Sequence, residues 1–223
     1  TVVAKDGSNE VSKSFNVVIS APLKIDLLPQ EAVVGEDGTA VFHFNVTPAD
    51  KIHALRVFSR DAVLLPDDRV TLTAVSPGYY RLELKPAPDK FGKVVVVVEA
   101  ENPYHMVTTH YLTLTVNPVN DDPVLEGIPE KVRTEEDTPV SVPFYLYDPD
   151  PYDSHTFYVH SSNTQLVPSD PPYIVVEGSG TDRVLRIRPF KDANGSTVIT
   201  VTVQDSGNKT ATWIFEQIGR AHV

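Results

Sequence analysis

Three acidic stretches in the second half of the chain carry the residues best suited to hold a metal ion. They are Asn120-Asp121-Asp122, Asp148-Pro149-Asp150 and Asp205. Calcium accepts about 6–8 hard oxygen ligands at roughly 2.3–2.6 Å, and it takes carboxylates, carbonyls and water together. Side chains alternate along an extended segment, so Asp148 and Asp150 should lie on the same side of it. Carboxylates gathered at one point repel unless a cation neutralises them, which predicts a calcium site.

The first of these stretches belongs to the segment Val119–Pro123, which separates two copies of an internal repeat. Pro123 cannot donate a hydrogen bond to a neighbouring strand, and it biases the residue before it towards extended backbone. We therefore interpret the segment as a stiff connector that a bound ion could stiffen further.

The repeat recurs with an offset of 103 residues, which relates Gly92 to Gly195 and Arg81–Pro86 to Val184–Pro189. Short runs with period-two patterning alternate with proline-rich turns, and no helical stripe of useful length is present. The pattern predicts an all-β fold of tandem antiparallel β-sandwiches of the immunoglobulin-like type, with about seven strands each. In the complete repeat the predicted strands are Leu23–Leu28, Ala40–Val46, Leu55–Phe58, Arg69–Ala74, Tyr79–Leu84, Val94–Glu99 and Val107–Val116.

The repeat also predicts where the domains begin and end. Residues 1–21 would be the C-terminal hairpin of a truncated first repeat, with strands at Thr1–Gly7 and Ser14–Ile19. Residues 22–117 would be the second repeat and residues 118–217 the third. The last residues, 218–223, fit no upstream pattern, and we expect them to be a non-native tail. The chain is thus expected to be a fragment of a longer protein.

Composition excludes several classes of function. The formal net charge of −11 argues against nucleic acid and against an anionic membrane as the main partner. The chain has no Cys, so disulfides, zinc thiolates and thiol nucleophiles are excluded. No apolar run approaches the roughly 20 residues of a membrane-spanning helix.

No motif of a known catalytic centre is present, and we predict a chain that is not an enzyme. The seven histidines do not form the His-Glu-x-x-His spacing of a zinc protease. Gly178-Ser179-Gly180 is typical of a hairpin turn, whereas a nucleophile elbow needs a strand, a turn and a helix in succession. His155 lies near the acidic residues, but we expect it to be an exposed strand residue.

The chain resembles the cadherin-like and bacterial immunoglobulin-like repeats of large extracellular surface proteins. The resemblance rests on Asn120–Pro123, Asp148–Asp150 and Val201–Gly207. It implies calcium at the junction between successive repeats, with ligands from the base of one repeat, the linker and the top of the next. The implied ligands in this chain are Glu36, Asp89, the carbonyl of Asn120, and the carboxylates of Asp121, Asp148, Asp150 and Asp205, with Asp122 as a further one.

The junction before the second repeat lacks these residues. Its linker, Ile19–Pro22, has no acid, Thr47-Pro48-Ala49 replaces the Asp-Pro-Asp triplet, and Asn102 stands in the place of Asp205. If the acids of the second junction served only to keep the protein soluble, there would be less reason for all of them to be absent from the first junction. The sequence therefore predicts a metal-free first junction.

The resulting prediction is a non-enzymatic stalk or adhesion segment, extracellular or on the cell surface, in which calcium stiffens the junction between the second and third repeats. Its partners would be the neighbouring repeats of the same chain and other cell-surface proteins or glycans. Two alternatives stay open. One is a carbohydrate-binding module that uses exposed aromatics such as Tyr79-Tyr80, Tyr104 and Tyr152. The other is an accessory domain of a secreted enzyme.

Overall fold

A computed structural model of the protein describes residues 2–14 and 21–220. The chain divides into two compact units, Thr1–Pro118 and Val119–Val223. The division lies one residue from the boundary expected between residues 117 and 118. The sequence assigned residues 1–21 to a separate repeat, which stays a prediction, and their described part lies within the bounds of the first unit.

The first unit contains ten described strands and two short 3-10 turns. The strands are β1 (Val2–Asp6), β2 (Asn9–Lys13), β3 (Lys24–Asp26), β4 (Glu31–Gly35), β5 (Ala40–Thr47), β6 (Ala54–Ser59), β7 (Val70–Ser76), β8 (Tyr79–Leu84), β9 (Gly92–Glu101) and β10 (Val107–Asn117). The 3-10 turns are Ala49–Lys51 and Asp67–Arg69. Neither turn, and no other helix in the described part of the chain, has the length and apolar character needed to cross a membrane.

The second unit contains eight described strands. They are β11 (Val124–Glu126), β12 (Lys131–Glu135), β13 (Val140–Tyr147), β14 (Thr156–Ser161), β15 (Ile174–Glu177), β16 (Asp182–Ile187), β17 (Gly195–Gln204) and β18 (Thr210–Arg220).

The sandwiches of both units have the same sheet topology, and β1 and β2 of the first unit form a separate two-stranded sheet. In the first unit the sheet orders are β3-β5-β8-β7 and β4-β10-β9-β6, and in the second they are β11-β13-β16-β15 and β12-β18-β17-β14. Every pairing is antiparallel except β4 with β10 and β12 with β18, which are parallel. The predicted fold class, tandem antiparallel β-sandwiches, is confirmed.

Each unit has its own core, formed by the inward-facing residues of its two sheets. In the first unit the largest fully buried side chains include Phe44, Leu82, Leu84, Leu112 and Leu114. In the second they include Phe144, Leu185, Ile187 and Ile199. Trp213 and Phe215 alternate on β18: Phe215 is buried in this core, and Trp213 is partly buried against it.

The sequence predicted about seven strands per sandwich, but each sandwich has eight because its first strand is split between the two sheets. The prediction ran one strand through Leu23–Leu28 and missed β4. The chain leaves the first sheet at a residue with left-handed backbone, Leu27 (φ 72°) in one unit and Gly127 (φ 86°) in the other. A proline follows two residues later in both units, at Pro29 and Pro129, so the extended segment cannot continue unbroken.

The 103-residue offset is also visible in the backbone. Gly92 and Gly195 begin β9 and β17 with φ values of 138° and 132°. Asp89 and Asp192, three residues earlier, have φ values of 55° and 56°. Equivalent turns therefore have equivalent conformations.

One expectation for the ends of the chain needs correction, and at the other end the sheet extends further than expected. The second strand of the first hairpin begins at Asn9, not at Ser14, and the rest of the predicted strand, residues 15–19, lies outside the described residues. At the other end, β18 continues through Arg220, and Ile218 and Gly219 pair with β12 and with β17. The first three residues of the expected tail are thus part of the sheet, because their backbone groups complete the pairing of both neighbouring strands.

Candidate metal centre

Three carboxylates meet in the loop between β13 and β14. Asp148, Asp150 and Asp153 each bring one oxygen to within 4.8 Å of the other two. Two ligands at about 2.4 Å from one calcium ion lie at most about 4.8 Å apart, so the three oxygens can bind a single ion. The sequence predicted Asp148 and Asp150 but missed Asp153, although Asp153 is the third acid of one short run, Asp-Pro-Asp-Pro-Tyr-Asp.

The loop is held in shape by its own polar groups. The backbone amide of Asp150 donates to Asp148 Oδ1 (2.9 Å), and the amide of Asp153 donates to the carbonyl of Asp150 (3.2 Å). Ser206, in the loop between β17 and β18, donates its hydroxyl to Asp153 Oδ1 (2.6 Å). Two loops that are distant in sequence therefore position the three acids together.

The second oxygen of Asp153 gives an independent indication of a bound cation. Asp153 Oδ2 is buried and has no hydrogen-bond partner among the described residues. A buried carboxylate oxygen without a partner is costly, and a metal ligand is one role that removes the cost. A cavity of about 290 Å³ lies beside the cluster, and Arg183 also lines it. The donor set fits a hard divalent cation, although Arg183 offsets part of its negative charge.

His155 differs from its expected role. It precedes β14, its side chain is only 13% exposed, and its Nε2 lies 2.7 Å from Asp148 Oδ2. The sequence expectation of an exposed strand histidine is therefore wrong. The Asp148 side chain is 5% exposed, and both of its oxygens have protein partners. A cation bound there would share Asp148 with His155.

The connector is attached to this end of the second unit by two hydrogen bonds. The backbone amide of Asp121 donates to Asp150 Oδ2 (2.7 Å), and Asn120 Nδ2 donates to Asp205 Oδ2 (2.9 Å). Of the five predicted ligands of the second unit, Asp148 and Asp150 belong to the cluster. The other three are linked by these two hydrogen bonds, Asp121 to Asp150 and Asn120 to Asp205.

Asp205 has a different role from the three clustered acids. It is buried, and it accepts hydrogen bonds from Asn120 and from the amide of Lys209 (2.8 Å). Burial alone would raise its pKa, but the hydrogen bonds from Asn120 and from the amides of Lys209 and Gly207 outweigh burial, so the pKa is lowered from 3.8. Asp205 is therefore an ionised anchor for the connector, and it lies outside the cluster of three.

Two neighbouring residues fit this anchoring role. A Cβ atom at Gly207 would overlap the side chain of Asn120, so only glycine lets Asn120 reach Asp205. Asp122, proposed as a further ligand, is exposed and forms an ion pair with Lys209 (3.3 Å). Its carboxylate is thus engaged at the surface.

The other two predicted ligands belong to the first unit. Glu36 is buried just after β4, and Asp89 is half-buried in the turn between β8 and β9. Their predicted share in calcium binding stays a prediction. Asn102, which stands where the second unit has Asp205, accepts hydrogen bonds from the amides of Tyr104 (2.9 Å) and Met106 (3.1 Å).

The aromatic residues considered for carbohydrate binding have mixed environments. Tyr79 stacks on His43, and Tyr80 stacks on Phe44 and packs against the core. These two side chains therefore contribute to the packing of the first unit. Tyr104 and Tyr152 are exposed.

Comparison with known proteins places this fold in the class of immunoglobulin-like repeats. Residues 120–215 match the family described as the bacterial Ig domain, so the predicted resemblance is confirmed for the second unit. A comparison with curated proteins gives no match.

Among solved structures, the protocadherin GammaB4 extracellular domain is similar, with a TM-score of 0.50 and 13% identity. The comparison covers 89% of this chain and 33% of the protocadherin, so this chain spans about a third of its length. A mutated variant of titin domains I67–I69 gives a TM-score of 0.47 at 12% identity, covering 91% of this chain and 66% of that one. Titin domains Z1Z2 in complex with telethonin give a TM-score of 0.41 at 15% identity. That comparison covers 92% of this chain and 100% of the titin chain.

Proposed function

We propose that the chain is a non-enzymatic segment of an extracellular repeat protein, where it acts as a stalk or adhesion spacer. Calcium bound by the second unit would hold the connector Val119–Pro123 in one conformation. The repeat architecture and the match to bacterial Ig domains support the first part. The second part rests chiefly on one observation, the buried and unpartnered Oδ2 of Asp153 inside a cluster of three acids.

The proposed ligands are the carboxylates of Asp148, Asp150 and Asp153, completed by water. Asp121 is the fourth candidate, because its backbone amide is already bonded to Asp150. An ion held by Asp150 would thus restrain the connector through Asp121. Extracellular modules bind calcium at about 10⁻⁴–10⁻³ M, and such an affinity suits a site that works outside the cell.

Calcium titration of the chain by calorimetry tests the site. We expect one ion to bind, and we expect Asp153→Asn to weaken binding at least about tenfold, since it removes an anionic ligand whose oxygen is already desolvated. Asp170→Asn is the matched control, because Asp170 is an exposed acid of the same unit outside the cluster. The absence of binding at millimolar calcium, or equal weakening by both variants, would refute the site.

Small-angle scattering tests the mechanical role. If calcium restrains the connector, a chelator should broaden the pair-distance distribution of the chain, while the near-ultraviolet circular dichroism of the sandwiches should change little. The Asp153→Asn variant should resemble the chelated protein whether or not calcium is present. A distribution that is the same with calcium and with chelator would leave the site without this mechanical role.

A further inference from the structure

A second cavity in the second unit has no part in the acidic cluster. It measures about 420 Å³ and lies between the segment before β15 and the connection from β16 to β17. Its lining includes Tyr173, Arg188, Phe190 and Lys191. The rings of Tyr173 and Phe190 stack with centroids 5.7 Å apart and an interplanar angle of 28°. The volume falls in the range of small-molecule pockets, about 300–1,000 Å³.

The walls of this cavity are held by backbone hydrogen bonds. The amide of Arg188 donates to the carbonyl of Tyr173 (2.7 Å), and the amide of Phe190 donates to the carbonyl of Leu166 (2.7 Å). Leu166 is a buried member of the core. The two segments are therefore fixed before any ligand arrives, which lowers the entropic cost of binding.

The first unit has the same two backbone hydrogen bonds at the equivalent place, but it lacks the aromatic pair. Its amide of Lys85 donates to the carbonyl of Arg69 (3.0 Å), and its amide of Ala87 donates to the carbonyl of Leu64 (2.9 Å). Arg69 and Ala87 thus occupy the positions of Tyr173 and Phe190. Because the first unit forms the same sandwich with arginine and alanine at these positions, the fold does not require the stacked rings of the second unit.

One cation beside the cavity is available to an anion. Arg188 is exposed, and no acidic side chain in the described part of the chain lies within ion-pair distance of it. Lys191 is also exposed, and its Nζ forms an ion pair with Asp192 Oδ2 at 3.9 Å. The acid that lines the cavity, Asp137, accepts the backbone amide of Asp192 (2.9 Å). In a chain of net charge −11, Arg188 is thus an exposed cation beside an aromatic surface, with no acidic partner among the described residues.

We propose that this cavity binds an acidic saccharide, with a sugar ring against Phe190 and its carboxylate at Arg188. Phe190 is 48% exposed, and the negative face of an aromatic ring attracts the C–H groups of a pyranose. The planar guanidinium of arginine binds a carboxylate through two parallel hydrogen bonds. An acidic peptide would use the guanidinium but would leave the ring surface without a matching partner. The proposal does not depend on calcium.

Titration of the whole chain with a galacturonic acid tetrasaccharide tests the proposal. Phe190→Ala introduces the residue that the first unit already has at this position, so the fold should be retained, and the affinity should fall at least about tenfold. Arg188→Gln should cause a similar loss for the acidic sugar. A neutral galactose tetrasaccharide should bind more weakly to the wild type and should respond little to Arg188→Gln. Tyr158→Ala, which removes an exposed aromatic ring from β14, is the matched control.

Several outcomes would overturn the proposal. The first is that the wild type does not bind the acidic saccharide, and the second is that it binds the neutral and acidic sugars equally well. The third is an equal loss of affinity for Tyr158→Ala and Phe190→Ala, and the fourth is tighter binding of a glutamate-rich peptide. Asp153→Asn should bind the saccharide as the wild type does, so a failure here is distinguishable from a failure of the calcium site.

Discussion

Replacing Gln217 by Leu is expected to raise the melting temperature of the second unit by about 10 °C. Gln217 lies on β18, is fully buried, and neither its Nε2 nor its Oε1 has a hydrogen-bond partner among the described residues. An amide buried without partners costs about 1–3 kcal/mol. Leucine has a similar volume and no polar atom, so the substitution should remove this cost and add apolar burial.

The first unit shows which side chain the position accepts. In the sheet register Gly92 pairs with Val116, and Gly195 pairs with Gly219. Leu114 in the first unit therefore corresponds to Gln217 in the second. Leu114 is fully buried in its core, whereas the second core has an amide at the equivalent place.

Thermal unfolding of the whole chain, followed by tryptophan fluorescence, measures this effect. Trp213 is the only tryptophan of the chain, and it lies on β18, so its signal reports on the second unit. Gln165→Leu is the matched control, since Gln165 is exposed in the same unit, and its effect should stay within about 0.5 kcal/mol. An unchanged or lower melting temperature for Gln217→Leu would show that the buried amide is satisfied in solution.

Replacing Asp205 by Asn is expected to destabilise the second unit by about 2 kcal/mol at neutral pH. The carboxylate accepts from Asn120 Nδ2 through one oxygen and from the amide of Lys209 through the other. An asparagine has one acceptor oxygen, so its amide nitrogen would face either the Asn120 donor or the Lys209 amide. In either arrangement two hydrogen-bond donors face each other, so one of the two hydrogen bonds is lost. The connector is then held less firmly to the second unit.

The stability difference between the wild type and Asp205→Asn should depend on pH in a defined direction. The pKa of Asp205 is lower in the folded protein than its ordinary value of 3.8. A lowered pKa in the folded state contributes stability that is complete above the unfolded-state value and is lost as the pH falls through the folded-state value. The difference should therefore be largest at neutral pH and should shrink below pH 3.8.

Urea denaturation followed by Trp213 fluorescence, at neutral pH and in acid, measures both effects. Asn102→Asp in the first unit is the control, since Asn102 stands at the equivalent position of the other unit and its Oδ1 accepts the backbone amides of Tyr104 and Met106. It should leave the transition of the second unit unchanged. A difference between wild type and Asp205→Asn that stays constant as the pH falls would exclude ionised Asp205 as the anchor.

The sequence was sufficient to predict the all-β fold, the repeat and most of the strands. These features depend on local information, because period-two patterning and turn residues act within a few positions of one another. The same information predicted that the connector acids and Asp148-Pro149-Asp150 would meet, since the repeat places a linker and a strand end at the same end of a sandwich. In the structure the backbone amide of Asp121 donates to Asp150, whereas the Asp122 carboxylate pairs with Lys209.

Only the tertiary structure decided which groups share hydrogen bonds across loops. Asp153 joins the cluster because Ser206, 53 residues away, positions it, and Asp205 serves as an anchor because Asn120 reaches it from 85 residues away. Such contacts depend on how the two sheets close over each other, and no local pattern encodes that closure. The same holds for the pairing of Tyr173 with Phe190, which lie on separate connections and meet only when the sandwich is folded.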